Sequence, residues 1–226
     1  MDMRNIYVCV ISWILFSCSD TLEPGKIGFN YFPLEIGDYR VYQIQQIEYS
    51  LFAATDTAHY QLKELVVDTF STQSELNYIL HRFKRDLSTD KWQLDSVWTS
   101  RRTQNHAIVV ENNIPFVKMV FPIRLDKVWD GNLFNASPPD EYQITEISGS
   151  METPAGTFVD NLTVFENNER DTLIYQDIRQ SIYALNVGLI YKNSSILDFC
   201  NTDPDCLGTL EFGIKFDQIL TDYGKE

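Results

Sequence analysis

The chain is 226 residues long, 44% of them hydrophobic, with a formal charge of −14 and an isoelectric point near 4.5. That apolar content argues against a disordered chain. The acidity argues against partners that need a basic surface, namely nucleic acid and anionic lipid headgroups.

The first element in chain order is a targeting segment. After Arg4 comes an apolar run from Ile6 to Phe16. It is well short of the roughly 20 apolar residues of a membrane-spanning helix and has the form of a secretory leader core. Its ending, Leu15-Phe16-Ser17-Cys18, resembles the lipobox of bacterial lipoproteins. The resemblance implies cleavage before Cys18, with lipid attached to its sulfur and to its new amino group. A start at Met3 would remove Asp2 from the leader. The expected organisation is a leader over 1–17, a lipidated tether over 18–30 and a single all-β domain over 31–226. The expected address is the bacterial cell envelope, lipid-anchored to the outer membrane and facing either the periplasm or the surface.

Cysteine use agrees with export. Of four cysteines, Cys9 leaves with the leader and Cys18 is the lipidation site, which leaves Cys200 and Cys206 as an even pair in an oxidising compartment. The turn formers Asn201-Thr202-Asp203-Pro204-Asp205 lie between them, so a disulfide is expected, closing a short loop and contributing roughly 2 kcal/mol.

The mature chain reads as a succession of strands. Pro24, Gly25 and Gly28 mark the tether, and Tyr31–Asp38 is a turn-rich aromatic entry. Tyr39–Ile44 is the first strand, and a slip in alternation predicts a bulge near Gln45-Gln46. Tyr60–Thr69, Leu76–Lys84 and the face Trp92, Leu94, Ser96, Trp98 follow. Ala107–Glu111 and Ile114–Phe121 flank Asn112-Asn113, a pair that tolerates the positive φ of a primed turn, and read as a hairpin. Trp129–Asn132 falls in a loop that ends near Pro138-Pro139. Tyr142–Ile147 and Phe158–Glu166 are joined through Thr153-Pro154-Ala155-Gly156, and Ser181–Ala184 and Leu189–Leu197 flank Asn186-Val187-Gly188. In the last strand, Leu210, Phe212, Ile214 and Phe216 form one apolar face, the pattern of a half-buried antiparallel strand. About ten strands without a βαβ rhythm predict an antiparallel β-sandwich or a strongly curved, half-barrel-like sheet.

Three stretches, Tyr31-Phe32-Pro33-Leu34-x-x-Gly37, Thr153-Pro154-Ala155-Gly156-Thr157-Phe158 and Tyr183-Ala184-x-x-Val187-Gly188-Leu189-Ile190, resemble motifs of uncharacterised Gram-negative envelope lipoproteins. The resemblance implies an antiparallel β body on a lipid anchor and carries no activity with it.

The chemistry-bearing residues form no recognisable site. His59, His81 and His106 lie on three different predicted strands without paired spacing. Nucleophile elbows, metallopeptidase helices and phosphate loops are lacking. Asp198, Asp203 and Asp205 read as a solvated acidic loop rather than a calcium site. Trp92, Trp98 and Trp129 read as core, with sugar stacking as the alternative. Asn135, Asn161 and Asn193 open sequons that matter only in a eukaryotic secretory route. No catalytic residue, metal site or cofactor is expected. The expected role is a non-enzymatic binding module or an accessory subunit of a membrane complex, joined to the membrane through its lipid. A carrier of a hydrophobic ligand, or a hydrolase of envelope glycans built on paired carboxylates, is the alternative.

Overall fold

A computed structural model describes residues 27–72, 75–171 and 174–226. The expected leader, Cys18 and most of the tether lie outside the described residues. Period-two alternation builds twelve strands: β1 (Asp38–Tyr49), β2 (Asp56–Thr72), β3 (Glu75–Arg85), β4 (Gln93–Arg102), β5 (His106–Glu111), β6 (Ile114–Val120), β7 (Val128–Asp130), β8 (Glu141–Thr153), β9 (Gly156–Asp171), β10 (Tyr175–Ala184), β11 (Gly188–Phe199) and β12 (Leu210–Lys225). All lie in one antiparallel sheet, in the order β6-β5-β4-β3-β2-β1-β12-β11-β10-β9-β8-β7.

The sheet curls until its edges, β6 and β7, face one another. The Val117 N–H donates to the Gly131 carbonyl (2.9 Å), and the Trp129 indole N–H donates to the Val117 carbonyl (2.8 Å). Asn135 Nδ2 reaches the Pro115 carbonyl (2.9 Å). Gly131 lies flat against the Tyr142 ring, where any side chain would collide with it. These stitches nearly close a barrel and cover an edge that would otherwise expose unpaired backbone.

One barrel end is plugged. The segment Ile27–Leu34 folds across it with a 3-10 turn at Phe29–Tyr31, burying Tyr31 and Leu34. Arg102 Nη1 donates to the carbonyls of Phe29 (3.0 Å) and Phe32 (2.7 Å), and the Asn186 N–H donates to the Asn30 carbonyl (2.7 Å). Residues 27–30, which the sequence assigns to a tether, therefore pack on the body: Ile27 and Phe29 join the cluster of Val117, Met119, Phe121, Trp129 and Leu162. A second cluster holds Tyr42, Ile44, Leu62, Ile190 and Leu220.

The curved-sheet expectation holds, with two strands more than about ten, and three local readings change. Asn112 and Asn113 do take positive φ (50° and 66°) in a two-residue hairpin. The bulge expected at Gln45-Gln46 is not there. β1 pairs with β2 without a break from Tyr39 to Glu48, and the irregularity lies between Val41 and Tyr42 against β12, where Thr221 is the extra residue. Val128–Asp130, expected as loop, forms the edge strand β7. On β12 the alternation is as read, but Phe212 and Ile214 are exposed while Gln218 and Leu220 on the same face are buried. The strand runs from an open rim to a closed interior, so one face changes environment along its length.

Candidate functional site: a charged chamber inside the barrel

The barrel encloses a cavity of about 490 Å³ that reaches from Phe32, Pro33 and Leu34 of the plug to Glu111 and Phe116, beside the β5–β6 turn at the opposite end. Its lining combines aromatic residues with eight charged ones, placed by strand alternation on the same faces as core residues. Arg40 shares its face with Tyr42 and Ile44, Glu64 with Leu62 and Val66, Arg82 with Leu80, Glu166 with Val164, and Lys192 with Ile190, while Lys118 is the extra residue of a bulge in the β5–β6 ladder. Arg179 and Glu111 complete the set.

Two walls can be distinguished. On the first, Arg40, Glu64 and Arg82 are register partners across β1, β2 and β3. Arg82 Nε donates to Glu64 Oε1 (3.1 Å), and its guanidinium lies 3.5 Å from the centre of the Trp98 ring, a stacked cation–π contact. Arg40 is only 8% exposed, yet it makes no ion pair with a carboxylate of the described residues. Its Nη1 donates to the Val187 carbonyl (3.1 Å), while its buried Nε and the buried Trp98 Nε1 have no hydrogen-bond partner. Gly188 (φ 89°) makes the first contact possible: it suits the left-handed turn, and a Cβ there would stand 2.9 Å from Arg40 Nη1.

The second wall is internally neutralised. Lys118 Nζ pairs with Glu111 Oε1 (2.8 Å). Glu166 is the extra residue of a bulge between Arg179 and Gln180 in the β9–β10 ladder, which turns its carboxylate onto Ser181 Oγ (2.7 Å). Arg179, in the lining, is fully engaged, making four hydrogen bonds to Asp140 and Asp177. Burial opposes ionisation of Glu166, but Lys192, Lys118 and the Ser181 hydroxyl outweigh it and hold the carboxyl at about 2. At Glu111 burial is likewise outweighed by Lys118 and Lys192, and the carboxyl sits below its ordinary range. Both acids are ionised at neutral pH, so neither is a ready proton donor.

The residues singled out from sequence are placed as follows. Cys200 and Cys206 form a disulfide (Cα–Cα 5.7 Å) in the β11–β12 turn at the unplugged end. Together with Glu211 they are the group among the described residues with metal-ligand proximity, but the disulfide consumes both thiols. His59 and His81 lie on neighbouring strands, β2 and β3, but His81 pairs with Leu65, six residues along from His59, and His106, on β5, packs against Phe134. Asp203 accepts from the Asp205 N–H within its own turn, and Asp198 is exposed. Of the tryptophans, Trp129 belongs to the seam, Trp92 lies under Arg85, and only Trp98 lines the chamber. The charged lining went unread in the sequence. Its signal was there, as single charges at the i+2 positions of apolar strand faces.

The unplugged rim is unusually apolar. Its turns expose Leu51 and Phe52 (88%), Leu87, Leu133, Phe134 and Leu207.

No protein-family model and no curated protein matches the chain. Among solved structures, it is similar to a candidate exported protein with a YmcC-like fold from Bacteroides fragilis (12% identity, TM-score 0.45). It is also similar to a candidate lipoprotein from Parabacteroides distasonis (10% identity, TM-score 0.42). Each covers 86% of this chain and 98% of its own.

Proposed function

We propose that the chain is a lipid-anchored protein of the bacterial cell envelope whose barrel is a binding chamber for a small ligand. The leader and Leu15-Phe16-Ser17-Cys18 support the address. The observation that carries the binding reading is the cavity itself. Its volume of about 490 Å³ is within the usual range of ligand pockets, roughly 300–1,000 Å³, and its wall mixes apolar and aromatic surface with eight charged residues. Glycan hydrolysis fits less well, because it needs one carboxyl held protonated near neutral pH, and Glu111 and Glu166 are held the opposite way.

The apolar rim favours a second reading, docking of a protein partner over the mouth. Native mass spectrometry of the protein taken from its own membrane tests both. The expected species begins at an acylated Cys18 and carries a small molecule. A protein partner in place of a small molecule would favour docking. An unmodified Cys18 with nothing bound would overturn both the anchor and the chamber.

A further inference from the structure

We infer that the chamber takes an anionic amphiphile, with one carboxylate or phosphate head held by Arg40 and an apolar body lying along the aromatic lining. This rests on the binding reading above and names the ligand's chemistry.

The charges of the two walls decide the sign. On the neutralised wall each cation has its acid: Lys118 has Glu111, Lys192 is a main stabiliser of ionised Glu166, and Arg179 is taken by Asp140 and Asp177. On the other wall Glu64 is hydrogen-bonded to Arg82, which leaves Arg40 with a carbonyl as its partner. Burial opposes the Arg40 charge, but Tyr42, Glu64 and Asp38 outweigh it and keep the guanidinium ionised, so the Arg40-Glu64-Arg82 row carries one cation more than it has acids, in a chain whose formal charge is −14. A guanidinium carries donors only, so a ligand group that meets Arg40 must bring acceptors. A guanidinium fork matches the oxygens of a carboxylate or a phosphate. The rest of the lining supplies the apolar part: Tyr60, Leu80, Val109, Phe116, Leu189 and Phe216 are uncharged and line the same space.

The test is calorimetric titration of the full chain with decanoate, decyl phosphate and 1-decanol, three probes that share a tail and differ in the head. At least one anion should bind tenfold or more tighter than the alcohol, and the tighter anion tells a free carboxylate source from a phosphate-headed one. Arg40→Met should abolish that preference and leave decanol binding unchanged. Arg40→Lys, which keeps the charge and removes the fork, should retain part of the preference, with folding of both variants checked by circular dichroism. If decanol binds as tightly as the anions, or if Arg40→Met keeps the preference, the anionic assignment is overturned while the chamber stands. If none of the three binds, the chamber reading falls and this assignment falls with it.

Discussion

The two walls of the chamber are made of the same residue types and solve the problem of buried charge differently. On the side of Lys118 and Glu166, each charge has a partner of opposite sign or a hydroxyl, and a β-bulge aims Glu166 at Ser181. On the side of Arg40, the Arg-Glu-Arg row across β1, β2 and β3 holds one cation too many, and two donors are left over. A wall that only had to support the barrel would not need a charge at position 40. The neutral wall is structural by this measure, and the unbalanced wall is where a ligand has something to gain.

That contrast can be broken most directly by removing one cation from each wall. Lys118→Met should destabilise the protein by about 3–5 kcal/mol, because Glu111 and Glu166 remain buried with less compensation. Arg40→Met should cost less, about 1–2 kcal/mol, since it forfeits the hydrogen bond to the Val187 carbonyl while Glu64 keeps Arg82. Urea denaturation of the two variants measures the difference, and equal losses would erase the distinction between the walls.

Acid titration sharpens it. The folded Glu166 carboxyl lies at about 2, below its ordinary value of 4.5. Its contribution to stability is therefore fully present above about pH 4.5 and is lost as pH falls toward 2. The shift corresponds to on the order of 3 kcal/mol. Glu166→Gln should lower stability at neutral pH and flatten its decline between pH 4.5 and 2, as followed by denaturation midpoints across that range. An unchanged pH profile would show that another group governs the acid limb. The smallest expected effect is at the seam. Trp129→Phe removes the buried hydrogen bond to the Val117 carbonyl, for a loss of about 1–2 kcal/mol. Hydrogen exchange should locate that loss first in β6 and β7.

Strand identity was largely legible in the sequence, because period-two alternation is a local property. Asn112-Asn113 announced its hairpin, and most strands were recognised, if shorter than they are. β7 escaped because three residues, Val128–Asp130, offer no period to detect, and its role comes from meeting Val117 across the seam. The bulge at Thr221 escaped because it is a feature of the β1–β12 ladder, a pairing between the two ends of the chain. The lining charges escaped for a different reason. Leu62-x-Glu64-x-Val66 and Ile190-x-Lys192 show the charge on the apolar face, but only closure of the sheet brings those faces together around one space.

The sheet order also bears on how the molecule assembles. Every ladder except β1–β12 joins strands that are consecutive in sequence. The barrel is thus two six-stranded meanders, β1–β6 and β7–β12, each built from fast local hairpins. They are joined by one long-range zipper and, through Val117 with Trp129 and Gly131, by a thin seam. Arg40 and Trp98 lie on the first meander, whereas Glu166 and Lys192 lie on the second and reach Lys118 only across the junction. Each half can form on its own time, but the chamber appears only in the final, slowest event, when the first strand finds the last.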